Sequence, residues 1–306
     1  MPEIEPDEIL LEGAGWDNTI YRVNREWVFR FPRRALAAPL METELVVAGL
    51  LKDRFEIPTA FPRFPCPRPP EEQVHPEDDF PWSFAGYDYL SGITTIEDPV
   101  PMQRRGASID SMARFLKVLH GIDVTPGLRA RLLEDPLGRW KGSRMIPVIR
   151  RELEFLEREG LPVDRGRLEE LLDPSVLDWE PSADQEPDRS EHAPHLVHGD
   201  LHTANLLFDP SGKLSGILDF GDIHLGHPAR DLGLLPMFFP EPTWDAFFGI
   251  YGAVDDLTMS MAKLRALRIA VAFSDQGRDT GRKGLASESI RILQILRVIR
   301  VSSKAC

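Results

Sequence analysis

The sequence predicts an α+β fold: a β-rich first third, a short connection and a mainly helical remainder. Three features point there. Residues 19–32, "TIYRVNREWVFRFP", are dense in β-branched and aromatic side chains and break at Asn24-Arg25, as two strands joined by a turn do. Residues 83–92, "SFAGYDYLSG", leave a proline-rich region and run into a glycine-ended connection. From about residue 108 apolar positions recur at helical spacing, interrupted by one short two-strand island within 195–222. The expected division is a lobe at 1–90 and a lobe at 91–306, with the hinge at about 87–92.

The 306 residues suffice for one large domain or two lobes with a sizeable core. A composition of 42% hydrophobic and 28% charged residues is that of a soluble globular chain. The net charge of −13 argues against binding a phosphate backbone, so no nucleic-acid partner is expected. An acidic surface would instead attract cationic small molecules, or merely keep the chain in solution. Two cysteines, Cys66 and Cys306, form neither a disulfide framework nor a metal spacing, which predicts a reducing compartment. The acidic first ten residues lack the order of a secretion signal, and no apolar run approaches the ~20 residues of a membrane span. A cytoplasmic protein with no membrane contact is expected; the oligomeric state stays open.

Taken in order, Gly13 and Gly15 in "LEGAGWDN" predict a turn before the first strand pair. Residues 40–55 have amphipathic helical spacing, with Met41, Leu45 and Ala48 on one side. Eight prolines in 58–82 exclude a helix and permit edge strands or a long hairpin. A helix is expected from a Ser108 cap to Gly121, with Asp110 in its first turn and Ala113, Leu116 and His120 on a shared face. Helical patterns follow in "RMIPVIRRELEFLEREG" and "RLEELL". Residues 178–194 are acidic, contain prolines and carry few apolar groups, which reads as a solvated loop or partly disordered insertion. From about 230 the chain is again largely helical.

The island opens with "HLVHGDLHTANLLFD", residues 195–209, where His198, Asp200 and Asn205 interrupt an apolar run. One reading is a strand-turn-strand whose Asp and Asn cap local backbone groups. The combination with Asp219-Phe220-Gly221 supports another. Phosphoryl transfer needs a carboxylate to orient the acceptor hydroxyl and oxygen ligands to hold Mg²⁺ against phosphates. H-x-D-x-x-x-x-N followed by D-F-G supplies both, in the order kinases use. Asp200 fits the position facing the hydroxyl, and Asn205 and Asp219 fit the metal role. His198 suits bracing the loop. His202, His224 and His227 show no ligand spacing with a third donor and read as surface or loop residues.

"LVHGDLHTANLLFDPSGKLSGILDFGDIHLGHPARDLG" resembles the catalytic core of the aminoglycoside phosphotransferase family, small-molecule kinases with a protein-kinase-like fold. The family's H-G-D-x-x-x-x-N is matched at His198 to Asn205, and its next segment at Leu218 to Gly221. Its G-D-P-x-x-D-L run is matched by Gly226-His227-Pro228 and Asp231-Leu232, with His227 where Asp is usual. The resemblance implies a two-lobed protein-kinase-like fold, a β-rich N-lobe on a mainly helical C-lobe, and Asp231 as a loop-bracing residue. The N-terminal third is similar to the family's nucleotide loop, here Gly13 to Asn18, its phosphate-contacting strand and its first helix. Arg30 stands where kinases generally place Lys; it keeps the charge and can grip phosphate with two donors. Its helix partner is expected to be Glu44, one turn from Met41 and Ala48, rather than Glu42. Backbone groups of Asp88 and Leu90 would meet the nucleobase edge, with Tyr87 guarding the pocket behind.

The function implied is transfer of phosphate from ATP or GTP, with Mg²⁺, to a hydroxyl of a small molecule. An aminoglycoside, a polycation whose amines need carboxylates, is the best single candidate. Asp222, Glu241, Asp245, Asp275 and Asp279 are the carboxylates considered for it, each also readable as a solvated surface residue. A macrolide kinase is the alternative in the same chemistry: "WVFRFPRR" followed by the Glu44 helix resembles macrolide kinases at least as well as aminoglycoside ones, and "MFFPEPTWDAFFGIYG" reads either as apolar pocket or as helix core; Asn205 counts against it. A metabolic kinase of choline, homoserine or sugar type shares the catalytic loop. A non-catalytic nucleotide-binding protein would be favoured by loss of the base, the Mg²⁺ ligands or the phosphate cation; base and ligands are present, and the cation is conservatively changed to Arg30.

Overall fold

The structure, a computed structural model, describes residues 4–14, 17–67, 80–132, 142–173 and 194–300. Strands β1 (Ile9–Ala14), β2 (Asn18–Val23), β3 (Trp27–Pro32), β4 (Phe64–Cys66) and β5 (Phe84–Asp88) form a five-stranded antiparallel sheet in the order β1-β2-β3-β5-β4. The β2–β3 turn takes positive φ at Asn24 (52°) and Arg25 (58°), the backbone twist that matches two paired strands. Gly13 corrects the expected turn. It lies inside β1 opposite Ile20, beside a register shift between Leu11 and Gly13, so the glycine accommodates a bulge in an edge strand. Gly15 lies outside the described residues.

Helix α1 (Ala38–Leu51) starts earlier and ends earlier than the 40–55 expected. Pro39 suits its first turn, and the backbone leaves the helix at Lys52 before Asp53 turns to a φ of 66°. The proline-rich stretch contributes β4 at the sheet edge, where a missing N–H costs least. Between α1 and β4, residues 57–61 run as a strap to the rest of the chain. Ile217 N donates to Pro58 O at 3.0 Å, and Ala60 N donates to Ile217 O at 3.0 Å.

The remainder holds α2 (Ile109–His120), α3 (Gly142–Arg158), α4 (Arg165–Leu171), α5 (Ala229–Leu232), α6 (Leu234–Phe238), α7 (Trp244–Tyr251), α8 (Asp256–Thr280) and α9 (Lys283–Ile295). Ser108 does sit at the N-cap of α2, but its hydroxyl accepts from Leu214 N at 2.7 Å instead of capping the helix. The expected single island is two ribbons. β6 (His195–Val197) pairs with β9 (His224–Gly226), and β7 (Leu206–Phe208) pairs with β8 (Leu214–Ile217). The two strands of 195–209 therefore do not pair with each other, which frees the segment between them to make a loop. Residues 178–193 of the expected solvated loop lie outside the described residues.

One core joins both parts: Val47 and Leu51 of α1, Ile57 and Phe61 of the strap, Leu116 of α2 and Leu264 of α8 belong to a single buried cluster. Phe238, Phe239 and Phe247 are buried in it too, so "MFFPEPTWDAFFGIYG" supplies core rather than pocket. Among the described residues no helix is long and apolar enough to cross a membrane.

Candidate active site

Where the sheet meets the two ribbons, Arg30 bridges two acidic elements. It projects from β3, with Nη1 3.3 Å from Glu44 Oε2 on α1 and Nη2 2.7 Å from Asp219 Oδ1 after β8. Glu44 is fully buried, whereas the adjacent acid Glu42 is exposed. Burial pushes Glu44 up to about 7 even against the Arg30 guanidinium. For Arg30, burial opposes the charge, but Asp219 and Glu44 hold it well above its ordinary value. Burial also works against the Asp219 carboxylate, yet Arg30 keeps it below the usual range. The Tyr87 ring lies 5.5 Å from Arg30 Cζ, and its hydroxyl reaches Met41 Sδ at 3.7 Å, closing the back of the site.

The loop between β6 and β7 is held from beneath. Asp231 accepts His198 N at 2.7 Å and Gly199 N at 3.0 Å, and His120 Nε2 lies 3.1 Å from the same carboxylate. Burial raises Asp231, but His120 and the loop donors hold it below the usual carboxylate range. His120 Nδ1 in turn meets Tyr251 Oη at 2.7 Å. His198 Nε2 is bound to Leu218 O at 3.0 Å, tying this loop to the one carrying Asp219. Gly199 has φ 83° and no room for a side chain: a Cβ there would stand 2.3 Å from Asp222 O. Asn205 Nδ2 donates to Asp200 O at 3.0 Å, so its other amide atom is an oxygen acceptor. Asp219 takes the left-handed conformation (φ 66°), which a short polar side chain tolerates better than most. Asp200 Oδ1 lies 3.0 Å from Arg265 Nη2, and its Oδ2 lies 3.6 Å from His202 Nε2.

Residues 9–267 match the model of a phosphotransferase enzyme family. The chain belongs to that family. It is a phosphotransferase by family, and its two-lobed, protein-kinase-like architecture is that of solved phosphotransferases. One is an aminoglycoside 2'-phosphotransferase-IIIa in complex with GDP, which is 22% identical with a TM-score of 0.64, covering 97% of this chain and 94% of that one. Another is a macrolide 2'-phosphotransferase type I, 21% identical with a TM-score of 0.56, covering 96% and 91%. At those identities the likeness is one of fold. A shorter match joins 46 residues at 39% identity to the uncharacterized protein YcbJ of Bacillus subtilis strain 168, 15% of this chain and 15% of that protein's length.

In this phosphotransferase one cleft is lined by Asp17, Arg30, Glu44, Asp200, Asp219 and Asp222, so sites spread over two hundred residues of sequence converge. Of the five carboxylates considered for the acceptor, only Asp222 lines it. Glu241, Asp245 and Asp279 are exposed elsewhere, and Asp275 pairs with Arg278. Asp88 ends β5 and pairs with Arg63 at 2.6 Å through its side chain; Leu90, partly buried, follows in the connection. His224 corrects the surface-or-loop reading, being a buried strand residue, whereas His227 lies in a loop as expected but is buried there. His224 has Nδ1 2.6 Å from Asp222 O, and His227 Nδ1 accepts from Ala229 N at 3.2 Å. Sequence reading held Asp17, bound by Arg34 Nε at 2.7 Å, only as part of the nucleotide loop, and missed Arg265 on α8, sixty-five positions from Asp200. Nothing local to the loop signals an arginine that distant.

No group of three or more His, Cys, Asp or Glu side chains among the described residues is arranged to hold a metal. Asn205 and Asp219 are nevertheless hard oxygen donors on two adjoining loops, and Mg²⁺ characteristically takes one or two protein ligands plus water and phosphate oxygens. The donor set fits magnesium in the company of a nucleotide.

Proposed function

We propose that this phosphotransferase moves the γ-phosphate of ATP or GTP to a hydroxyl of a small molecule, with an aminoglycoside as acceptor. The cleft composition carries the reading. Five carboxylates, Asp17, Glu44, Asp200, Asp219 and Asp222, line it with the one cation Arg30 among the described residues. Such a surface suits a polyamine acceptor and repels a triphosphate unless divalent cation accompanies it. The lobes would divide as 1–90 for nucleotide and 91–306 for catalysis and acceptor, hinged at 87–92.

Within that division, Asp200 orients the acceptor hydroxyl and takes its proton as the oxygen bonds to the γ-phosphorus and the bond to the bridging oxygen breaks. Arg30 grips phosphate and Glu44 holds Arg30 in place. Asp231 and His198 brace the loop, and backbone at Gly13, Asp88 and Leu90 meets phosphate and base. Asn205 and Asp219 would hold Mg²⁺, which when bound offsets phosphate charge. Asp222, alone of the acceptor acids in the cleft, would meet an amine.

A macrolide acceptor is the weaker reading because the aromatic run proposed to line its pocket is core. Turnover with Mg²⁺·ATP and Mg²⁺·GTP, screened against aminoglycosides, macrolides, choline, homoserine and sugars, tests the assignment by product mass. Phosphorylated aminoglycoside is expected. Product only from another class overturns the acceptor, and nucleotide binding without any product overturns catalysis.

A further inference from the structure

We propose that Arg265 is a positioning residue for Asp200, so that helix α8 sets the direction of the catalytic carboxylate. This rests on Asp200 being the base. Arg265 sits mid-helix and only 2% exposed, and a single nitrogen, Nη2, lies 3.0 Å from both Gly199 O and Asp200 Oδ1. One donor therefore ties the carboxylate to the carbonyl of the preceding residue. An aspartate side chain has two soft torsions, the terminal one broad, and this tie restrains both.

The stem of Arg265 is placed as deliberately as its head. It crosses Gly233, where a Cβ would stand 2.7 Å from Arg265 Cγ and 3.0 Å from its Cβ. Gly233 lies two residues beyond Asp231, which holds the backbone N–H groups of His198 and Gly199. The loop is thus held by its donors from Asp231 and by an acceptor and its carboxylate from Arg265, and the two grips meet at Gly233. The same helix supplies Phe273, whose ring lies 5.2 Å from that of His202, the residue beside Asp200 Oδ2. A buried guanidinium is costly without partners, which commits Arg265 to this geometry. Its planar fork also fixes direction in a way an ammonium does not.

The test measures kcat and KM for wild type, Arg265→Lys and Arg265→Met. Kanamycin is the acceptor probe, and hydrolysis of Mg²⁺·ATP and Mg²⁺·GTP by water is read in parallel. Misplacing a catalytic group by about 1 Å costs up to ~100-fold, so Arg265→Met is expected to lower kcat roughly 10–100-fold. KM for nucleotide and kanamycin should stay within about 3-fold, with the Lys variant between Met and wild type. In an Asp200→Asn background the same replacements should change the residual rate by less than about 3-fold, because the group they position is already gone. Equal losses in both backgrounds, or a loss confined to KM, overturn the proposal. Wild-type turnover by Asp200→Asn alone overturns instead the reading of Asp200 as base. Where Asn-background rates are too slow to read, the kcat–KM split and the Lys ordering decide. If Arg265→Met does not melt as a folded protein, Gly233→Ala, which displaces the stem and leaves every charge, should reproduce the kcat loss; normal kcat there is equally damaging.

Discussion

Arg30 touches two carboxylates that have different fates in the proposed reaction, Glu44 as its anchor and Asp219 as a metal ligand. Arg30→Ala should weaken nucleotide binding and slow turnover together, and wild-type nucleotide affinity in that variant would remove Arg30 from the phosphate site. Asp200→Asn keeps shape but loses the proton acceptor; turnover should fall roughly 10²–10⁴-fold while Mg²⁺-nucleotide affinity, followed by calorimetry, is kept. Asp219→Asn should instead lose metal-dependent nucleotide affinity along with rate. Glu44 gives a pH test. Its carboxyl is raised from 4.5 to about 7 by burial, so the folded chain binds that proton more tightly than the unfolded chain. Its contribution is fully present below about pH 4.5 and is lost as pH rises through about 7. Between those limits wild type should lose up to about 3 kcal/mol relative to Glu44→Gln; parallel melting curves against pH would show an ordinary carboxyl. Residue identities were readable where spacing encodes burial, as in choosing Glu44 over the exposed Glu42. They were not readable where tertiary structure buries a group that looks polar: His224 is covered as a strand residue bonded to Asp222 O, and Arg265 as a link between distant segments.

Among the elements, those with a strong local period were legible: the β2–β3 hairpin with its Asn24-Arg25 turn, and α2 with its buried Leu116 and His120. β1 was not, because Ile9 and Leu11 remain 58% and 63% exposed at the sheet edge and Gly13 reads as a turn when it marks a bulge. The ribbons were half legible. Three-residue strands are too short for pattern to assign partners, and β6 finds its partner only after β7 and β8 have paired between them. That interleaving puts Gly199 against Asp222 and His224, with φ 83° and a Cβ position 2.3 Å from a carbonyl oxygen. Gly199→Ala must therefore open the β6–β9 side of the loop. It should cost more than the roughly 1–3 kcal/mol of backbone strain alone and lower turnover besides. A variant with wild-type melting temperature and rate would mean that the loop relaxes freely.

On the scale of the molecule, the sequence suggests a clean division at the hinge, while the structure carries a second crossing at residues 57–61. That strap exchanges two backbone hydrogen bonds with Ile217, two residues before Asp219, and sends Phe61 into the shared core. Phe61 lies 4.4 Å between ring centroids from Phe220, which also meets Phe115 of α2 at 6.4 Å and the His198 ring at 4.7 Å. Phe220 directly follows Asp219, so packing of the sheet-bearing part bears on the proposed metal ligand through an aromatic stack. Two lobes joined only by a hinge can unfold in separate steps, but lobes that bury one another's aromatic side chains should melt together. Calorimetry on the intact chain should show one transition with matching calorimetric and van't Hoff enthalpies. Phe61→Ala removes the central strap ring and should cost about 3–5 kcal/mol. Because the lost contacts span both parts, its transition should stay single or split with the sheet-bearing part melting first, and metal-dependent nucleotide affinity should fall through the loosened Phe220-Asp219 corner. Two independent transitions in wild type, or a Phe61→Ala protein with unchanged stability and nucleotide affinity, would reduce the strap to a passive connection.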